Sequence, residues 1–232
     1  MKLTIVYDNK TLDPNLASAW GFSCLIGEDL LFDTGGDSRT LLSNMAQMGI
    51  DVEGIKTVVL SHAHGDHTGG LGGLLATGIR PTVYVPRSFP TRFKADVRSL
   101  TTLVEVHGPV EIRPGIHTTG EVGRGIAEQA LTVETSQGLV VVTGCAHPGV
   151  VKMVRRAKES AGGKVYLVMG GFHLGGMSRR PIKQIIADFR QLGVQKVAPC
   201  HCTGDRAIRV FAEEYGDDFI DNGVGLVLDI GP

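Results

Sequence analysis

Four side chains that can ligate metal ions lie within six residues of one another: His62, His64, Asp66 and His67. Imidazole and carboxylate ligands suit zinc, iron or manganese. A single catalytic metal takes about three protein ligands, so four candidates from one loop indicate a site for two metals. The cluster follows the apolar run 55–60, and α/β proteins place their sites in loops at the ends of strands. The alternative is a polar loop that carries histidines by chance.

Three further histidines repeat one arrangement, in which an apolar run is followed by a short turn and a histidine. They are His147, His173 and His201. For any one alone, an ordinary hydrogen-bonded histidine is the better interpretation, but the repetition beside the first cluster favours three more metal ligands. Asp33 follows the apolar run 30–32, and we expect it to orient a ligand histidine through that histidine's second ring nitrogen. A turn-forming Asp before glycine is the alternative.

The elements that position these residues alternate between apolar runs and helical patterns, which predicts a layered α/β domain. Strands are predicted at 3–7, 22–26, 30–32, 55–60, 81–85, 131–135, 139–143, 164–169, 195–198 and 224–228. Helices are predicted at 37–48, 68–76, 150–159, 182–191 and 203–215. Proline and glycine punctuate residues 86–130, where we expect a meander or loops. His107 and His117 lack the strand-then-histidine context and are expected on the surface or in loops. With no linker in the sequence, a single domain over residues 1–232 is predicted.

Composition argues against several classes of protein. The 232 residues carry a formal net charge of −1 and no long basic run, so nucleic-acid binding has no electrostatic support. No apolar run is long enough to span a membrane, and the apolar opening is too short for a signal peptide. The four cysteines do not indicate a disulfide framework in a chain of this size. We expect a cytoplasmic enzyme with a small-molecule substrate, no nucleic-acid or membrane partner, and homo-oligomer formation as an open question.

The run 62–67 matches the His-x-His-x-Asp-His signature of the metallo-β-lactamase superfamily, which this chain resembles along most of its length. Within the superfamily, segments 31–35, 60–62, 143–149, 170–174 and 199–204 resemble one branch. That branch contains the dihydropterin ribofuranosylaminobenzene phosphate synthases and many uncharacterised hydrolases. The resemblance implies a metallo-β-lactamase-like four-layer αββα sandwich, in which two mixed sheets pack face to face with helices outside.

The resemblance also implies two sets of metal ligands. They are His62, His64 and His147 for the first metal, and Asp66, His67 and His201 for the second. Zinc is the first expectation for these two divalent ions, with iron, manganese and magnesium as alternatives. The superfamily usually adds a bridging Asp before its last ligand motif, whereas this sequence has His173 and no acid at that strand end. His173 as a ligand, His173 as a substrate contact, and a weakened second site are the open interpretations, because a lost carboxylate lowers affinity for a second divalent ion.

Three cysteines lie beside the predicted ligands. Cys200 and Cys202 flank His201, and on an extended segment their side chains would point away from it. Cys145 precedes His147 by two residues and would point the same way as that histidine on an extended segment. Small buried residues that pack a tight turn are the preferred interpretation of these cysteines, and a thiolate ligand is the alternative.

The predicted ligands favour a metal-dependent hydrolase. A divalent metal lowers the pKa of its bound water toward 7, so the resulting hydroxide can attack an ester, amide or phosphate ester at neutral pH. Asp66 and His201 are candidates for moving protons near the metals. One alternative is a synthase that uses a pterin diphosphate and whose metals coordinate the diphosphate leaving group. A non-catalytic metal-binding sensor is the other alternative.

Overall fold

The computed structural model describes residues 1–231. Its short apolar strands form two mixed β-sheets, and amphipathic helices accompany them. Contacts divide the chain into two units. The first comprises Met1–His107 and Gly223–Ile230, and the second comprises Gly108–Asn222 and the C-terminal end. The predicted α/β class with two mixed sheets and helices is confirmed. The face-to-face packing of the sheets and the single-domain organisation stay predictions.

The first unit contains a seven-stranded sheet. In spatial order its strands are β13 (Val227–Asp229), β1 (Lys2–Tyr7), β2 (Ser23–Ile26), β3 (Leu30–Phe32), β4 (Thr57–Val59), β5 (Thr82–Pro86) and β6 (Leu103–Val106). Its helices are α1 (Ser38–Gln47), α2 (Gly65–Thr68), α3 (Leu71–Ala76) and α4 (Thr91–Leu100). Neighbours from β13 to β3 pair antiparallel, and neighbours from β3 to β6 pair parallel.

Helix α1 shows how the sequence builds the core of this unit. Asp37 caps its first turn by accepting a hydrogen bond from the Thr40 amide, at 2.8 Å between N and Oδ1. Leu41 and Met45, four residues apart on one face, are fully buried in the core against β1 and α3. The predicted helix 37–48 is therefore confirmed, with Met48 as its C-cap.

Parallel pairing of β3 with β4 fixes where the first cluster lies. Phe32 is in register with Val59, so the residues that follow both strands leave the sheet at the same edge. Asp33 follows β3 directly, and Ser61-His62 follows β4 after one residue. The motif itself then turns into α2, a short helix that was not predicted, while the predicted helix 68–76 is found as α3, which begins at Leu71. Glycine at 65 and 69 hid the short helix α2, because glycine disfavours helix in isolation.

The second unit contains a six-stranded sheet. In spatial order its strands are β12 (Lys196–Cys200), β11 (Val165–Gly171), β10 (Gly138–Thr143), β9 (Leu131–Thr135), β8 (Ile116–Thr118) and β7 (Val110–Arg113). Its helices are α5 (Val150–Ala161), α6 (Arg179–Leu192) and α7 (Asp205–Tyr215), which bury apolar faces in one core. Phe172, Phe189 and Phe211 meet edge to face or tilted at the centre of that core.

Three parallel strands bring the other predicted histidines to one edge of this sheet. Thr143 at the end of β10 is in register with Gly170 of β11, and Gly171 is in register with Cys200 of β12. The segments that carry His147, His173 and His201 therefore leave the sheet side by side. The strand-then-histidine pattern of the sequence corresponds to these three strand ends.

Residues 86–130 contain helix α4 and the short strands β6 to β8. Strands β7 to β10 pair antiparallel in sequence order, so the predicted meander is present, whereas helix α4 was not predicted. Helix α4 follows Pro90 and carries Phe93, Val97 and Leu100 at helical spacing, a pattern that the surrounding proline and glycine residues obscured. The hairpin between β9 and β10 turns at residues 136–137, between the strands predicted at 131–135 and 139–143. Along residues 1–231, no helix has the length and apolar character needed to cross a membrane.

The cap of α1 gives a prediction for stability. Asp37→Ala should lower the free energy of unfolding by about 1 kcal/mol at neutral pH, because the α1 amides lose their acceptor. The pKa of Asp37 is lowered, chiefly by the Thr40 amide, so its stabilisation is full above the unfolded-state pKa and is lost as pH falls through the folded-state pKa. Urea unfolding of the variant and the native chain should therefore differ at pH 7, and the difference should begin to shrink only as the pH falls below about 4. A difference independent of pH would contradict this account, and Asp37→Asn, which still caps, is the control.

Candidate metal centre

A buried carboxylate organises the first cluster. Both oxygens of Asp33 accept hydrogen bonds from Ser61, at 2.7 Å from the amide to Oδ1 and 2.7 Å from the hydroxyl to Oδ2. Oδ2 also lies 2.7 Å from Nδ1 of His67. Asp33, Ser61 and His67 are all fully buried. The sequence predicted that Asp33 contacts a histidine ring in this way.

The hydrogen-bond network assigns the tautomers of two histidines. Because the carboxylate of Asp33 only accepts, Nδ1 of His67 carries the proton and Nε2 is left able to ligate a metal. The Ser61 hydroxyl donates its one proton to Asp33, so its oxygen accepts from Nδ1 of His62, 2.9 Å away. In the neutral ring of His62, Nε2 is therefore the nitrogen without a proton. The carboxylate of Asp33 thus orients the rings of His62 and His67 so that both can bind a metal through Nε2.

The donor atoms prepared in this way fit a metal. Nε2 of His62 lies 3.1 Å from Nδ1 of His64. Two ligand nitrogens on one tetrahedral zinc lie about 3.3 Å apart, which is close to that separation. Nε2 of His67 lies 3.7 Å from Oδ2 of Asp66, so the nitrogen lone pair of His67 and a carboxylate oxygen of Asp66 are close together. A cation between such atoms is favourable, and the chemistry of this donor set suits a divalent ion.

Backbone geometry holds the cluster in place. Asp33 has φ of 58°, a left-handed conformation that Asp adopts more readily than most residues. The His67 carbonyl accepts from both the amide and the hydroxyl of Thr34, at 2.8 and 3.0 Å. A Cβ at Gly69 would lie 2.1 Å from the Gly36 carbonyl oxygen, so only glycine allows this loop to approach the motif so closely. The loop after β3 and the motif are thus fixed to each other.

In the second unit the three predicted histidines follow the ends of β10, β11 and β12. The rings of His147 and His173 lie 4.2 Å apart between centroids. His201 is buried, His147 is half-buried and His173 is exposed. His173 and His201 have φ of 52° and 51°, which costs free energy for residues with a side chain. Strained histidines at adjacent strand ends are typical of functional sites.

A residue that sequence reasoning missed anchors the loop after β10. The carboxylate of Glu128 is fully buried and accepts hydrogen bonds from three successive backbone amides. Oε1 lies 2.8 Å from the nitrogens of Cys145 and Ala146, and Oε2 lies 2.9 Å from that of His147. Three charge-assisted bonds fix the loop that presents His147. In the sequence, Glu128 is a single acidic residue in a segment without regular apolar spacing. Nothing in the sequence therefore predicts its role.

The cysteines differ from the extended geometry assumed for them. Cys200 ends β12, but the chain then turns at His201 into a 3₁₀ helix, His201–Thr203. Ala146, between Cys145 and His147, has φ of 60°, so that segment is not extended either. The extended backbone on which the expected directions of these side chains depended is therefore absent here, and all three cysteines are buried. The thiol of Cys202 instead points toward the Cys145 carbonyl oxygen, 3.6 Å from Sγ.

The two remaining histidines lie apart from these strand ends. His107 is exposed after β6, and His117 lies on β8, 3.1 Å from a carboxylate oxygen of Glu134. The metal-ligand roles predicted for His62, His64, Asp66 and His67, and for His147, His173 and His201, stay predictions.

Comparisons with known proteins agree with this architecture. A family model described as the metallo-beta-lactamase superfamily matches residues 24–147. The 7,8-dihydropterin-6-methyl-4-(beta-D-ribofuranosyl)-aminobenzene-5'-phosphate synthase of Methanocaldococcus jannaschii is 32% identical in an alignment 240 residues long, gaps included, that covers 84% of this chain and 82% of that protein. An uncharacterised protein of the same archaeon is 25% identical and covers 98% of this chain and 100% of its own length.

Solved structures of the metallo-β-lactamase fold are also similar to this chain. Tm1679, described as a metal-dependent hydrolase of the beta-lactamase superfamily, superposes with a TM-score of 0.86 and 30% identity over 100% of both chains. The metallo-beta-lactamase fold protein YhfI from Bacillus subtilis superposes with a TM-score of 0.71, covering 98% of this chain and 99% of its own, at 16% identity. The latter likeness concerns the fold alone.

Proposed function

This chain belongs to the metallo-β-lactamase superfamily, and we propose that it is a metal-dependent hydrolase of a small-molecule ester, amide or phosphate ester. The superfamily consists mostly of metal-dependent hydrolases that bind divalent ions, and this chain carries candidate ligands for them. The observation that carries the proposal is the network in which Asp33 sets the tautomers of His62 and His67. Both Nδ1 atoms are engaged by this network, so the Nε2 atoms of both rings are the nitrogens left for ligation.

The proposal keeps the two ligand sets implied by the sequence. They are His62, His64 and His147 for one ion, and Asp66, His67 and His201 for the other. When bound, two divalent ions, zinc first among them, supply a nucleophile at neutral pH and polarise the bond that is attacked. The chain's own contribution is to orient the ligand rings through Asp33 and to shield the cluster. Asp66 and His201 are the residues proposed to move protons.

A synthase is the second candidate, and the 32% identity with the Methanocaldococcus jannaschii synthase favours it. In that reaction class the chain would hold a pterin diphosphate and release diphosphate on forming a new bond. The two candidates differ in a product that can be measured. Diphosphate release from a pterin diphosphate supports the synthase, whereas metal-dependent cleavage of generic esters or phosphodiesters supports the hydrolase.

Trp20 offers a binding readout that does not depend on turnover. It is the only tryptophan of the chain, and its side chain is 62% exposed. The next residues lie against the metal motif, since the Phe22 amide donates to the Asp66 carbonyl oxygen at 3.2 Å. Quenching of its fluorescence by a pterin, and not by a generic ester, would favour the synthase.

Metal content tests the proposal directly. Protein purified without added metal should contain about two ions per chain by elemental analysis, as expected for a two-metal hydrolase. Removal by chelator should abolish turnover, and added zinc should restore it. No stoichiometric metal, even after reconstitution with zinc, iron or manganese, would reject the proposed function.

His173 takes the position where the superfamily usually has a bridging Asp. We expect His173→Ala to lower the metal content from about two ions toward one, because an imidazole ligand is lost. The matched control is His117→Ala. His117 lies on β8 and pairs with Glu134, so this variant should retain the native metal content. An unchanged content in His173→Ala would remove His173 from the ligands and assign it to substrate contact.

A further inference from the structure

We propose that Cys145, Cys202 and His173 ligate a thiophilic divalent ion, such as zinc, through two thiolates and one imidazole. Their donor atoms all lie within 4.8 Å of one another in the second unit. Two sulfurs at about 2.3 Å from a tetrahedral zinc lie about 3.8 Å apart, so only a small movement is needed. Thiolates are not among the seven ligands predicted from the sequence. The ion held here is one of the two ions proposed above, the one that His173 is expected to ligate, and its ligation does not depend on the reaction proposed there.

The surrounding backbone is arranged to bring these three loops together. Thr143 donates its hydroxyl proton to the Gly171 carbonyl oxygen at 2.8 Å, which joins the ends of β10 and β11. The Phe172 amide donates to the Thr203 hydroxyl at 3.0 Å, which joins the ends of β11 and β12. Two threonines thus fix the loops that carry Cys145, His173 and Cys202.

Space for the thiol of Cys202 depends on a glycine. A Cβ at Gly171 would lie 2.7 Å from Sγ of Cys202 and 2.3 Å from the Gly144 carbonyl oxygen. Both distances are too short for real atoms, so any other residue at 171 would displace the thiol. Cys145 and Cys202 are 3% and 9% exposed, while His173 is exposed. The sulfurs are therefore shielded, and the imidazole side is open for a metal to enter.

Charge gives an independent argument for thiolates. The predicted ligands of the second unit are His147, His173 and His201, all neutral when they bind a metal. The buried carboxylate nearest to them in sequence, that of Glu128, accepts three backbone amides. Binding of a divalent ion by Cys145 and Cys202 would release two thiol protons to solvent and leave two negative charges against the ion. Soft thiolate ligands select zinc over magnesium.

Cobalt(II) is the probe for the experiment, because thiolate ligation gives a near-ultraviolet charge-transfer band. The full chain, stripped of metal and kept with a phosphine reductant, should develop this band on titration. Each of Cys145→Ser and Cys202→Ser should remove about half of it, and the double variant should remove it entirely, since thiolates are the ligands. Cys24→Ser and Cys200→Ser are matched controls and should leave the band intact. His173→Ala should keep the band and weaken cobalt binding by about tenfold or more.

X-ray absorption spectroscopy of the native chain loaded with zinc measures the distances from zinc to its ligands. This test needs no variant, so it remains valid if a variant fails to fold. A shell of sulfur at about 2.3 Å supports the proposal, and a shell of nitrogen and oxygen alone at about 2.0–2.1 Å overturns it. A cobalt band that survives in the double variant, or a Cys145–Cys202 disulfide in protein that binds no thiophilic metal, also overturns it. Turnover is not used as a readout, so an inactive protein with a sulfur shell would reject the hydrolase and retain this site.

Discussion

Asp33→Asn is expected to weaken metal binding by roughly 10- to 100-fold and to reduce turnover at least in proportion. The amide keeps the size of the carboxylate, and its oxygen can still accept from the Ser61 backbone. Its NH₂ group, however, would face the Ser61 hydroxyl and Nδ1 of His67, which donate to Oδ2 in the native protein. Two donors cannot face each other, so His67 would place its proton on Nε2 and lose the lone pair that ligates.

The test is a competition titration of zinc against a chromophoric chelator, with nitrogen-15 NMR of the histidine rings to report the His67 tautomer. Loss of buried hydrogen bonds also lowers stability by about 1–3 kcal/mol, so affinity is measured at low temperature on protein shown to be folded. Asp51→Asn makes the same change of charge at an exposed position of the same unit and should bind zinc like the native chain. Native affinity in Asp33→Asn would refute the orienting role.

Residues that form a local pattern were predictable from the sequence. The apolar runs before His62, His147, His173 and His201 end in the parallel strands that the register now shows. A strand that is buried on both faces consists almost entirely of apolar residues. The first polar residue after such a run therefore marks the end of the strand in the sequence. Asp33 was predictable for the same reason, since it follows β3 directly.

Contacts between distant segments were not predictable. Glu128 acts through amides 17 to 19 residues later in the chain, and no spacing rule connects a carboxylate to main-chain nitrogens in another loop. The cysteine geometry failed because a φ of 51° at His201 and 60° at Ala146 reverses the direction of the next side chain. Positive φ at residues other than glycine leaves little trace in sequence, because tertiary contacts impose it. Helix α4 was missed although Phe93, Val97 and Leu100 recur at helical spacing, because the proline and glycine residues around it favoured loops.

Glu128→Gln is expected to destabilise the protein by about 2–3 kcal/mol, because a charged acceptor of three amides becomes a neutral group with a donor. The glutamine carbonyl oxygen can still accept from Cys145 and Ala146, as Oε1 does in the native protein. Its NH₂ would then face the His147 amide, and these two donors repel. We expect a fall in melting temperature of about 5–10 °C for the metal-free chain, where ligand binding does not add to stability.

The same substitution should also affect metal binding, which separates positioning from stability alone. Repulsion at the His147 amide displaces the loop that presents this imidazole, so zinc affinity should fall even at temperatures where the variant is fully folded. Glu134→Gln is the matched control, because it removes one charge from the same unit at an exposed pair with His117, which contributes little. Calorimetric zinc titration of both variants at one temperature decides the outcome. A destabilised Glu128→Gln with native zinc affinity would limit Glu128 to holding the fold, whereas weakened affinity makes it a positioning residue for the metal ligands.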